Sequence, residues 1–283
     1  MKTLSETAML VSLSISMWDR YKYDRKVSDE VAASHGTTNK AGRYNKNLLA
    51  FNPPSYKAVT SLAGEARTIH YSHTLPWTTD GWSLLPCANW SLYTDKVRDV
   101  QTRFNIGVGE FMLEAPALFA RSIQELNGLG NVADFPTMQK LRDSFDFRVK
   151  FLPFPTADDF RVTLQPTDID AIKVDLEKDV EVAIAEAMKA PFARLHEVVK
   201  KMATTLADSD AIFRDTLVTN VEELLEVLPR LNLTGDAQLT AICTQIQQTL
   251  VVNPDTLRQS TSTRTDIAAK AAAIQANLAG YMA

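Results

Sequence analysis

The run FDFRVKF, Phe145 to Phe151, decides how the chain is read, because strict alternation gives way soon after it to helical spacing. Phe145, Phe147, Val149 and Phe151 fall on one side of an extended chain, and Asp146, Arg148 and Lys150 on the other. A strand with one buried face is predicted here. A shorter alternation at Phe160, Val162 and Leu164, beyond Pro153, Pro155 and Asp158-Asp159, predicts its hairpin partner. Toward the N-terminus, Met9, Val11, Leu13, Ile15 and Met17 alternate with mostly small or polar residues and predict a first strand, with Trp82 to Pro86 a further candidate. Helices separate them. Ser28 is a candidate cap for a helix over Asp29 to His35 that Gly36 would stop, Pro54 opens a helix over 55–72, and Asn89 to Leu126 reads as one long helix with a kink or break near Pro116.

Toward the C-terminus the pattern changes. Pro166 to Asp208 has almost no turn signals and carries the stripe Ile172, Leu176, Val180, Ile184, Met188, Leu195, Val199, Met202 and Leu206, interrupted at Pro191. Helices over 210–228 and 236–251 follow, then a Ser/Thr-rich stretch, Gln259 to Thr265, expected to be a mobile linker, and an Ala-rich helix from Thr263 to Leu278. The expected fold class is α+β: a small antiparallel or mixed sheet with helices over residues 1–165, and an all-α bundle over 166–258. Residues 259–283 form the linker and tail helix in this division. The stripe and the tail offer more apolar helical surface than one small domain needs, so a homo-oligomer is expected. In it the tail would pack on a neighbouring subunit through Ile267, Ile274, Leu278 and Tyr281.

Charge is unevenly spread. Between Trp18 and Arg103 twelve Lys/Arg face eight Asp/Glu, a local net of +4 in a chain whose net charge is −4. Interleaved with these cations are Trp18, Tyr21, Tyr23, Tyr44, Tyr56, Tyr71, Trp77, Trp82, Trp90 and Tyr93. Cations neutralise phosphates and rings stack on unpaired bases, so the combination suits single-stranded nucleic acid. The segment Lys40-Ala-Gly-Arg-Tyr-Asn-Lys46 concentrates the pattern, with Gly42 permitting close backbone approach. The candidate nucleic-acid-binding residues are Arg20, Lys22, Lys40, Arg43, Tyr44, Lys46, Arg67 and Trp77. Aromatic and arginine enrichment is equally expected at a protein interface, which gives the alternative: a structural or protein-interaction factor, partner of an ATPase or a host protein, without nucleic-acid binding.

Catalytic signatures are sparse. The chain has no P-loop, no dinucleotide-binding glycine pattern and no Gly-x-Ser-x-Gly elbow. His70-Tyr-Ser-His73 puts two imidazoles on one helix face, but no acidic motif follows to complete a metal shell. No catalytic residue, metal ligand or cofactor is assigned, and a hydrolase built on the His70/His73 helix is the third reading. Cys87 and Cys243 lack metal-ligand spacing and are expected as free thiols. The apolar run Met9 to Met17 is too short to span a membrane and does not resemble a signal peptide, so a cytosolic protein without a membrane partner is expected.

The runs His35-Gly-Thr-Thr-Asn-Lys-Ala-Gly-Arg-Tyr-Asn-Lys46, Ala66-Arg-Thr-Ile-His-Tyr-Ser-His-Thr-Leu-Pro-Trp77 and Leu228-Pro-Arg-Leu-Asn-Leu233 resemble a family of unknown function encoded by tailed bacteriophages and related prophages. The general plan is also similar to a broader family found near phage or plasmid AAA ATPases and recombination genes. The resemblance implies a phage early or accessory protein in the bacterial cytoplasm, with a phage or host protein as a further partner. It supplies no activity and no catalytic residues.

Overall fold

The computed structural model describes residues 4–77, 81–154 and 166–281. The fold is α+β, with a small four-stranded sheet in the N-terminal part followed by long helices. In chain order the elements are α1 (Leu4–Thr7), β1 (Ala8–Ser16), β2 (Tyr21–Tyr23), α2 (Arg25–Ser34), β3 (Asn45–Asn47), α3 (Pro54–His73), β4 (Leu75–Pro76), β5 (Ser83–Pro86), α4 (Trp90–Leu126), α5 (Met138–Asp143), β6 (Asp146–Pro153), α6 (Pro166–Ala187), α7 (Lys189–Ala207), α8 (Thr216–Leu231), α9 (Ala237–Thr249), α10 (Pro254–Gln259) and α11 (Thr261–Ala279). The larger sheet has the order β4-β5-β1-β6, with β5 antiparallel to both β4 and β1; β2 and β3 form a separate two-stranded ribbon. The predicted partner strand at Phe160 to Leu164 lies outside the described residues.

The chain forms two compact units that are interleaved in sequence. Unit 1 comprises Met1–Ser12, Ile69–Thr94 and Lys150–Ala283, and unit 2 comprises Leu13–Thr68 and Asp95–Val149. The sequential division at residues 165 and 258 does not coincide with these units, because strands and helices distant in sequence share each core.

Unit 1 has one continuous core, in which Ala8, Leu10, Leu75, Leu84 and Phe154 join the buried faces of α7, α8, α9 and α11. The first half of β1 is buried on both sides, at Ala8, Leu10 and Val11, where strict alternation predicted one buried face. Its position inside the sheet explains this, because β5 hydrogen-bonds along Ala8–Val11 and β6 flanks the other edge. The long stripe divides at Met188, with Pro191 in the first turn of α7, where a missing N–H costs nothing.

The C-terminal region corrects two expectations. Residues 259–265 are not a linker: Ser260 caps α11 by accepting from Thr263 N, and Arg264 donates to the carbonyls of Thr205, Leu206, Asp208 and Ala211. The carbonyls that end α7 need donors, and this guanidinium supplies them. Nor does α11 await a neighbouring subunit. It runs along α7 of its own chain, with Ile267, Ala271, Ile274 and Leu278 buried and Tyr281 stacked on Phe192 at 4.9 Å between ring centroids.

In unit 2, α3 and α4 lie close enough that a Cβ on Gly107 would sit 3.4 Å from Val59 Cγ2. Trp18 packs against Tyr56, Phe111 and Phe119, and Phe147 of β6 against Phe104. β6 keeps its predicted alternation at this end only. Phe151 and Leu152, beyond it, are both exposed. The helix α4 is unbroken at Pro116. Ser28 is not a cap; α2 begins earlier, where Asp24 accepts from Val27 N, while Gly36, at φ +64°, takes the left-handed conformation that ends it.

Candidate nucleic-acid interface

The ribbon β2–β3 organises the basic segment. Its register sets Tyr21 opposite Asn47, Lys22 opposite Lys46 and Tyr23 opposite Asn45. Because side chains alternate along a strand, Tyr21 and Tyr23 share one face, and Lys22 with Lys46 the other. Two lysines directly across a ladder repel one another. Acids resolve this: Asp134, ending the 3-10 turn Val132–Asp134, lies 3.1 Å from Lys22 Nζ and 2.5 Å from Lys46 Nζ, and Asp24 lies 2.9 Å from Lys46 Nζ.

Lys46 is therefore not an exposed phosphate contact, contrary to its reading in the sequence. It is buried, and its ammonium also donates to Leu129 O at 3.2 Å. Burial alone would pull its pKa down, but the hydrogen bonds to Asp134 and Asp24 more than reverse this and leave it raised. The Asp24 carboxyl is held below its ordinary value, chiefly by the Lys46 hydrogen bond. For Asp134, burial pushes upward, but Lys46 and Lys22 bring the net shift downward. Lys22 remains partly exposed, with its charge engaged by Asp134.

The opposite face presents rings to solvent. Tyr21 is 51% exposed and Tyr23 41%. Each carries a guanidinium: Arg20 Cζ lies 5.3 Å from the Tyr21 ring centroid and Arg43 Cζ 5.6 Å from that of Tyr23. Arg20 is steadied by donating to Asn52 Oδ1 at 2.8 Å. Tyr44 and Lys40 are exposed on the loop between α2 and β3. That loop is tied down by Ser28, whose hydroxyl donates to Asp24 O at 2.7 Å and accepts from Tyr44 N at 3.0 Å. The structure thus brings Arg20, Arg43 and Tyr44 to the ribbon and its adjoining loop, and adds Tyr21 and Tyr23. The signal for these two was the alternation Tyr-Lys-Tyr, too short at three residues to read as a strand.

The remaining candidates lie elsewhere. Arg67 is on α3 and donates to Ala63 O and Ile15 O, each at 3.4 Å. Trp77 belongs to unit 1, where its ring meets Phe154 edge-on at 5.2 Å. Of the interleaved aromatics, Tyr56 and Tyr93 are core residues. Charge follows the units: unit 2 holds 16 Lys/Arg against 13 Asp/Glu, net +3, and unit 1 holds 14 against 21, net −7.

His70 and His73 are both buried. His70 Nδ1 lies 2.9 Å from Tyr93 Oη and Nε2 3.2 Å from Ser83 Oγ, and burial brings its pKa down to about 4, so the ring is neutral at pH 7. Among the described residues no group of three or more His, Cys, Asp and Glu side chains is placed to hold a metal ion. No helix among them is long and apolar enough to cross a membrane. No family model, curated protein or solved structure matches the chain.

Proposed function

We propose that unit 2 binds single-stranded nucleic acid on the tyrosine face of the β2–β3 ribbon, as an accessory factor in phage replication or recombination. The observation that carries this is the pair of exposed rings, Tyr21 and Tyr23, each under an arginine, in the unit with net positive charge. Exposed rings one residue apart on a rigid ribbon offer successive bases a π-face, while Arg20, Lys40 and Arg43 neutralise phosphates. The phage setting rests on the sequence resemblance.

Titration of the full chain with labelled single- and double-stranded DNA at two salt concentrations tests the reading. Single strands bind better, and affinity falls as salt rises. Tyr21→Ala with Tyr23→Ala costs about 1–3 kcal/mol for each base left unstacked. Lys40→Ala with Arg43→Ala lowers the salt slope by about 0.7 for each phosphate no longer neutralised. Absence of binding at low salt, or variants that bind like the wild type, refutes it. The competing reading, docking of a protein, draws support from an apolar pocket of about 360 Å3 lined by Val31, Ala32, Ala41 and Tyr44. Absence of DNA binding at low salt would favour it.

Self-assembly belongs to the same proposal and centres on α6. Ile172, Leu176, Val180 and Ile184 are only half-buried, and Val174 and Val182 are 63% and 62% exposed. Light scattering of Leu176→Glu against the wild type tests this, with a fall in mass expected.

A further inference from the structure

Unit 1 contains a cleft of about 360 Å3 lined by Tyr71, Trp77, Trp82, Ser83, Ala190 and Arg194 among others. The β4–β5 ladder explains the two tryptophans. Leu75 faces Leu84 and Pro76 faces Ser83, so the same register carried one step further sets Trp77 opposite Trp82. Phe154 braces the Trp77 ring from the side.

Arg194 reaches this place from α7. Nη1 donates to Ser72 O at 3.0 Å and Nη2 to Thr74 O at 2.6 Å, which caps the last turn of α3. Capping uses two of the five N–H groups of a guanidinium and leaves its charge without a counter-ion. Among the described residues no carboxylate pairs with it, whereas Arg103 has Glu65 and Asp99, and Arg258 has Asp215 and Asp255. Burial pushes its pKa down, which is the mark of a cation short of solvation. A half-buried guanidinium beside two indole rings is complementary to a flat ring that carries an oxyanion. The volume lies near the lower limit of small-molecule sites and suits one ring system with one anionic group.

We infer that this cleft is a binding site for a small aromatic oxyanion, a flat ring bearing a carboxylate or a phosphate, held by Arg194 and stacked on Trp77 and Trp82. The site lies wholly within unit 1 and does not depend on the nucleic-acid reading of unit 2.

Calorimetric titration of the full chain with benzoate and with thymidine 5′-monophosphate tests it, against benzamide and thymidine as uncharged counterparts. At least one anion binds about tenfold or more tightly than its neutral counterpart, the range expected of a charge-assisted hydrogen bond. Which anion prevails distinguishes carboxylate from phosphate. Arg194→Gln abolishes the preference. Because that change also removes a helix cap, Ala190→Leu provides the second arm: it fills the cleft while leaving the guanidinium and both indoles in place, and it abolishes binding in a variant whose thermal melt shows it folded. Failure of both anions to bind at millimolar concentration, equal binding of charged and neutral probes, or undiminished binding by Ala190→Leu overturns the assignment.

Discussion

Replacing Lys46 by alanine tests whether the basic segment is held together from beneath. In the wild type the ammonium lies between Asp24, at 2.9 Å, and Asp134, at 2.5 Å, and its side chain is 7% exposed. Removing one member of a buried ion pair costs about 3–5 kcal/mol, because the partner charges stay behind. Two features move the expectation to the low end. Lys22 still neutralises Asp134, and Asp24 lines a cleft of about 590 Å3 through which water can reach the exposed charge. The expected loss is therefore about 2–3 kcal/mol, a fall in melting temperature of roughly 5–10 °C for a chain of this size. Lys40→Ala, at an exposed loop position, is the control and should stay within about 0.5 kcal/mol. The pH dependence adds an independent arm. Asp24 and Asp134 are lowered, so their contribution is complete above the unfolded value near 3.9 and is lost as pH falls through the folded values. Lys46 is raised, so its contribution is complete below its unfolded value near 10.4 and is lost as pH rises through the folded one. Differential scanning calorimetry across pH should show the widest gap between wild type and Lys46→Ala at neutral pH, narrowing below about pH 4. Equal melting of Lys46→Ala and Lys40→Ala at pH 7 would refute the buried-cluster reading.

Three further outcomes are expected. Phe147→Asp places a carboxylate against Phe104 and should cost more than about 4 kcal/mol, whereas Arg148→Ala, with its side chain 63% exposed, should remain within about 0.5 kcal/mol by urea denaturation; equal effects would reverse the strand's facing. His70 is held neutral down to about pH 4, so the unfolded chain takes up a proton below about 6.5 that the folded chain refuses. Up to about 3 kcal/mol of stability should vanish between those values, and His70→Gln should flatten that slope in urea midpoints at pH 7 and 4.5. A chain ending at Ser260 lacks α11 and should lose cooperative unfolding of unit 1, because five buried side chains are removed, of which Ile267, Ile274 and Leu278 are each worth about 1.5–3 kcal/mol; a cooperative melt unchanged by the truncation would contradict the packing.

Local signals reached the elements whose cause is local. Pro54 opens α3, Gly36 ends α2, and the three-and-four spacing of Val97, Val100, Phe104, Val108 and Phe111 describes the buried face of α4. The α+β class followed from the switch between alternation and helical spacing. What escaped was decided by partners far away in sequence. Lys46 reads as one more cation of an exposed loop until Asp134, eighty-eight residues on, comes to meet it. The stretch Gln259 to Thr265 has the composition of a linker, yet Arg264 is fixed by carbonyls at the end of a helix more than fifty residues earlier. Within the candidate interface, composition marked out the segment but not which of its side chains share a face of the ribbon. Tyr21 and Tyr23 differ from Lys22 only in which way a three-residue strand turns them, and that depends on the register with Asn45–Asn47.

The antiparallel return of α11 along α7 governs how the protein must be made. Residues 189–207 leave the ribosome more than fifty residues before 261–279, and until then Phe192, Leu195, Val199 and Met202 have no cover from the helix that finally lies on them. Nascent chains are thus born with a sticky helix. Long sequence separation between contacting helices slows folding and prolongs the interval in which an apolar face can meet the wrong partner. Slower elongation or a chaperone that shields α7 should therefore raise the yield of native protein, and a ribosome stalled before residue 261 should hold a chain open to capture by holdases.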